Sequence, residues 1–178
     1  MRKQIIIIPL LATTFIIAVL LTFISQNNRL NQTSGLTPTG MPSVMPSQTL
    51  KTFKSSNVMD FTVSYPSKFK VVDNIDEVDF NVNGDQISIV RNNTNYNTLD
   101  EYIKDFDSKR KLTVLDHSQL SIGGLDSVLR VVYFPEEKIK QKSYYIFVDS
   151  SAYIISTKVE SLYSDLDQIA QSFRYTPN

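Results

Sequence analysis

Apolar and polar residues alternate through most of the chain after residue 60. Phe61, Val63 and Tyr65 alternate with Thr62 and Ser64, the period of a strand with one buried face, and Pro66 ends the run. A segment at 52–55 is expected to pair with it. A further strand is expected at 69–72, before an acidic bend at Asp73, Asp76 and Glu77. Val78, Phe80 and Val82 alternate up to Asn83 and Gly84, and Ile87 and Ile89 alternate beyond them. An Asn-Gly step between two such runs predicts a hairpin, because both residues tolerate positive φ.

The period then changes. Thr98 and Glu101 have capping-box spacing, and Leu99, Tyr102, Ile103 and Phe106 fall at i, i+3, i+4 and i+7. This predicts one amphipathic helix running to about Lys109. Lys109, Arg110 and Lys111 would complement the negative pole of its dipole. Alternation returns at 113–122, which leads through Gly123 and Gly124 into 125–134. It returns again at 144–149, which turns at Ser150 and Ser151 into 153–159. A last helix near 161–172 has Leu162, Leu166, Ile169, Ala170 and Phe173 as its apolar stripe.

In the later strands both faces are apolar, with Leu129, Val131 and Tyr133 opposing Val128, Val132 and Phe134. A sheet of that kind has to be covered on both faces. The expected fold is therefore α+β, a largely antiparallel sheet flanked by helices in a helix/sheet/helix sandwich.

The N-terminal pattern is of another kind. Residues 5–24 contain no charge, and fourteen of the twenty are Ile, Leu, Val or Phe. Each contributes roughly −0.3 to −0.6 kcal/mol toward lipid at a central position. The run spans about 30 Å as a helix, the thickness of a hydrocarbon core. Arg2 and Lys3 precede it, and Arg29 is the nearest positive charge after it. The expectation is a cytoplasmic tip at 1–4, a single-pass transmembrane helix at 5–24 and a C-terminal part outside the cytoplasm. A cleaved signal peptide would export the same domain. The run is longer than a signal core, however, and no small-x-small site follows it.

Residues 25–51 are rich in Asn, Gln, Ser, Thr, Pro and Gly, with scattered apolar residues that show no period. Such a segment buries too little surface to offset its ordering entropy and is expected to be a disordered tether, roughly 30 Å from end to end. An extracytoplasmic domain at 52–178 follows.

Charge and composition narrow the functions. The chain has 18 basic and 18 acidic residues; Arg2, Lys3 and Arg29 come before every acid, so the remainder carries 15 positive and 18 negative charges. A balance of −3 is no footprint for nucleic acid. With no cysteine there are no disulfides, thiolate nucleophiles or cysteine metal sites. Asn31 and Asn92 begin glycosylation-type triplets, whose meaning depends on the host.

Candidate chemistry is sparse. His117 is the only histidine; Asp116 and Ser118 flank it, but adjacent strand residues point to opposite faces, so the three do not make a triad. Asp79, Asn81, Asn83 and Gly84 match the opening of a calcium loop, yet position twelve is Val90 rather than a bidentate Glu. Asp73, Asp76, Glu77 and Asp79 lie in or beside a turn, where a solvated cluster is the ordinary outcome. No phosphate loop, zinc-protease or serine-nucleophile signature is present. Hence no catalytic, cofactor-binding or metal residue is assigned, and no cofactor is expected.

Three stretches resemble the family of the photosystem II accessory protein PsbP and the Ran-binding protein Mog1. DFTVSYPSKF resembles its opening strand, SIGGLDSVLRVVYF its Gly-led central strand, and IAQSFRY its closing helix. The resemblance implies a sheet flanked by helices and a role in binding or assembly rather than catalysis. It transfers no binding residue. The resulting expectation is a membrane-anchored, extracytoplasmic, non-catalytic module with a protein or envelope partner. The alternative is a carboxylate-dependent or metal-dependent hydrolase of the cell envelope, which would need a deep pocket with acids in reach of other polar groups.

Overall fold

The computed structural model describes residues 48–55 and 57–177. The apolar run at 5–24 and nearly all of the tether at 25–51 lie outside them. Among the described residues no helix is long and apolar enough to cross a membrane. The elements are β1 (Leu50–Lys54), β2 (Phe61–Pro66), β3 (Lys70–Asp73), β4 (Glu77–Val82), β5 (Asp85–Asn93), α1 (Leu99–Ser108), β6 (Thr113–Ile122), β7 (Leu125–Phe134), β8 (Ile139–Val148), β9 (Ser151–Thr157), α2 (Tyr163–Gln171) and β10 (Arg174–Tyr175). The fold is α+β, and every described strand pairing is antiparallel.

The strands form two sheets where one was expected. Seven run in the order β3-β4-β5-β9-β8-β7-β6, and β1-β2-β10 make a smaller second sheet. The physical reason is the aromatic content of β2. Phe61 stacks on Phe173 at 5.4 Å between ring centroids and meets Tyr153 edge-on at 6.2 Å. β2 therefore serves as a cover on the large sheet, side by side with α2, rather than as a member of it. Fully buried Phe61, Phe80 and Phe173 contribute about 1.5–3 kcal/mol each to this layer.

The opposite face carries α1, where Leu99 and Ile103 pack on Val128 and Tyr145. Its start is fixed by the two side chains the sequence marked as a capping box: Thr98 Oγ1 accepts from the Glu101 amide at 3.3 Å, while the Glu101 carboxylate reaches one residue past the N-cap and accepts from the Asn97 amide at 3.0 Å. Beyond its end Lys109 pairs with Asp105 at 2.7 Å and Lys111 with Glu136 at 3.0 Å, while Arg110 lies over the Phe106 ring at 4.1 Å.

Two hairpins turn where Asn83-Gly84 and Gly123-Gly124 supply positive φ. The third turns at Asp149-Ser150, one residue earlier than expected, with both residues left-handed. β8 also begins five residues before the expected strand. Its extra stretch carries Lys140 and Lys142, which mask the alternation; Lys142 bonds Asp167 at 2.6 Å and covers the Tyr163 ring.

Candidate functional site

His117 is exposed on β6, in register with Arg130 of β7. Asp116 and Ser118 face the other side of the sheet, as alternation requires. Asp79 and Asn81 lie in β4, opposite Ser88 and Gln86. Asn83 and Gly84 form the turn, and Val90 pairs with Glu77. The calcium-like spacing is therefore a hairpin. Asp73, Asp76 and Glu77 border an open cleft of about 590 Å³ with the exposed Ile75.

One carboxylate does meet a hydroxyl. Ser88 Oγ donates to Asp79 at 2.5 Å and accepts from Gln86 Nε2 at 2.8 Å. The serine is 8% exposed, and its proton and a lone pair are both engaged. Gln141 Nε2 donates to Ser143 Oγ in the same i to i+2 manner at 2.9 Å. These are clips along the sheet, continuous with the in-register row Asp79, Ser88, Ser156, Ser143, Arg130 and His117.

Two charged clusters escaped the sequence reading. Arg130, in the middle of β7, is 1% exposed and donates to both oxygens of Asp107 at 2.9 and 2.7 Å. Arg91 reaches from β5 to the connection between β1 and β2, where it donates to the Val58 carbonyl and faces Asp60 at 3.6 Å, and it lies over the ring of Tyr153 on β9. Tyr153 donates to the Met59 carbonyl at 2.8 Å, and burial pushes its phenol up to about 12. Tyr175 is raised too, by burial and then by its hydrogen bond to Asp149. The guanidinium is engaged with protein groups, so the second cluster clamps the two sheets together. Neither cluster has a sequence period, which is why pattern reading passes over them.

Among the described residues, the outer edge of β6 is a feature without an internal role. Natural sheet edges are protected by lysines, prolines, bulges or brevity. Among the described residues there are four edges. β1 carries Lys51 and Lys54, β3 is four residues long with Lys70, and β10 is two residues long with Arg174. β6 has ten residues and neither Lys, Arg nor Pro. A bulge between Val114 and Asp116 interrupts its start, and Val114 and Leu115 are 42% and 51% exposed there.

Backbone groups on this edge can be assigned. Gly123 and Gly124, with φ of 61° and 83°, make a two-residue turn, so Ile122 and Leu125 form the hydrogen-bonded pair that closes it. Alternation then directs the N–H and C=O groups of His117, Gln119 and Ser121 away from β7. A cleft of about 360 Å³ beside Gln119 is bordered by Asp100 and Asp126, and one of about 440 Å³ at the other end by Lys109, Arg110, Lys111, Glu136 and Glu137.

The fold is PsbP-like. The solution structure of cyanobacterial PsbP (CyanoP) from Synechocystis superposes with a TM-score of 0.51 at 13% identity, covering 78% of this chain and 99% of that one. A crystal structure from Bacteroides thetaiotaomicron gives 0.49 at 17% identity over 72% of this chain and 49% of its own. A Pseudomonas aeruginosa protein of unknown function gives 0.44 at 12% identity over 78% and 90%. No protein-family model matches the sequence, and no curated protein matches it.

Proposed function

We propose that this chain is a non-catalytic binding or assembly module, held outside the cytoplasm by an anchor at 5–24 and a tether at 25–51, which engages a protein by strand addition at β6. The observation that carries the reading is the contrast between β6 and the other three edges. The one bulge and the one acid of β6 lie at its start, at Val114–Asp116, so residues 117–122 carry no Lys, Arg, Asp, Glu, Pro or bulge. Such an edge is a liability unless something pairs with it, and main-chain hydrogen bonds to an added strand are a general recognition mode. Val114 and Leu115 add an apolar contact at the bulge. A PsbP-like fold accords with the role that the family resemblance implies.

A photo-crosslinking residue at position 119 of the full chain, in its own membranes, should capture a protein, whereas one at Val72 on the opposite edge should not. Equal yields from the two edges, or none, would remove the basis for the reading. Protease added to intact cells should digest the folded domain. A protected domain would overturn its placement outside.

A further inference from the structure

We infer that the strand added at β6 is the β6 of a second copy of this chain, in an antiparallel pair about a two-fold axis through Gln119; this deepens the strand-addition reading and rests on it. The outward-facing groups at 117, 119 and 121 are symmetric about Gln119. An antiparallel copy therefore pairs Gln119 with its equivalent and His117 with Ser121 twice, and all three outward positions find partners.

The side chains agree with that register. Opposed residues share a face, which sets Ser118 beside Leu120 and Asp116 beside Ile122, with no like charges in contact. The ends agree as well. Lys109, Arg110 and Lys111 lie at the Thr113 end, and Asp100 and Asp126 lie toward the Ile122 end. Lys109 and Lys111 are neutralised by Asp105 and Glu136, and Glu137 of the same cleft pairs with Lys158, which leaves Arg110 as the base that forms no ion pair among the described residues. Reversal of the strand direction brings Arg110 of one copy toward Asp100 and Asp126 of the other.

A two-fold axis perpendicular to the sheet also keeps both small sheets on one face. Leu50, where β1 begins, is then on the same face in both copies, as anchorage of both to one membrane requires.

The chain has no cysteine, so one engineered thiol reports unambiguously. A hydrogen-bonded antiparallel pair holds its Cα atoms about 5.5 Å apart, within disulfide range. Full-length Gln119→Cys in native membranes, oxidised with copper phenanthroline, should yield a covalent dimer, and Val72→Cys should not. Arg110→Glu with Lys111→Glu in one chain, or Asp100→Lys with Asp126→Lys in another, should each lose the dimer. Mixing the two chains should restore it, because each then supplies the charge the other lacks. That recovery also shows that both variants fold.

A monomer at position 119 that still photo-crosslinks to other proteins would overturn the second copy and leave strand addition standing. A probe at 119 that captures nothing, by thiol or by light, would overturn both. Loss of the dimer in the two charge variants without recovery on mixing would refute the proposed pairing of ends.

Discussion

Arg130 and Asp107 meet through two parallel hydrogen bonds, the guanidinium 1% exposed and the carboxylate side chain 33% exposed. This pair fastens the last turn of α1 to the middle of β7, below the apolar contacts of Leu99 and Ile103. A lone buried charge is far costlier than a paired one. Asp107→Ala should therefore destabilise the domain by about 3 kcal/mol, the lower end for a broken buried pair because water reaches the carboxylate. Arg130→Met together with Asp107→Ala should recover most of that loss. Urea unfolding followed by tyrosine fluorescence would decide it, and a single variant no worse than the double would refute the latch.

Alkali should loosen the junction of the two sheets before it unfolds an ordinary tyrosine protein. Tyr153 holds its proton up to about 12 in the fold and near 10.0 when unfolded. Tyr144 is raised as well, by burial and then by donation to Asp167 at 2.7 Å. Between those values the unfolded chain releases protons that the folded chain keeps, so stability falls as pH rises. The contribution is complete below pH 10 and fades toward 12. Tyr153→Phe should flatten the decline and, by leaving the Met59 carbonyl without its donor, cost about 1–3 kcal/mol at neutral pH. Unfolding curves from pH 7 to 12 test both effects; an unchanged slope would contradict the first.

The two glycines of the β6–β7 turn should differ. Both have positive φ, which costs any L side chain about 1–2 kcal/mol. A Cβ at Gly123 would also come within 3.0 Å of the Phe173 carbonyl, whereas one at Gly124 meets open space. Gly123→Ala should lower the urea midpoint more than Gly124→Ala, and equal shifts would count against the close approach of turn and C-terminal strand.

Leu115→Glu separates binding from folding. Half exposed at a bulge, Leu115 contributes little to the core, so stability should stay within about 0.5 kcal/mol. Capture of a partner by the β6 edge should fall sharply. A large loss of stability with capture intact would reverse the assignment.

Local rules wrote most of the elements. Thr98 and Glu101 cap α1 because capping is settled within one turn, and Asn83-Gly84 and Gly123-Gly124 turn because φ belongs to the residue. The two apolar faces of the later strands, as at 128–134, announced a sheet that needs cover on both sides, and α1 covers one face while β2 and α2 cover the other. Sequence was silent where long side chains hid the pattern, as at Lys140 and Lys142, and where a charge was buried, as at Arg130.

The chain alone thus determined the order of strands and helices as far as α2, the absence of thiol chemistry and the α+β class, since each follows from neighbours a few residues apart; β10 was not legible in it. The tertiary structure decided that β1 and β2 stand apart from the large sheet and are joined by β10, and that Arg91 clamps the two sheets. It also left β6, rather than another strand, at an edge with no lysine to guard it. Those outcomes depend on contacts between residues such as Phe61 and Phe173, more than a hundred positions apart, and no local period encodes which distant surfaces will meet.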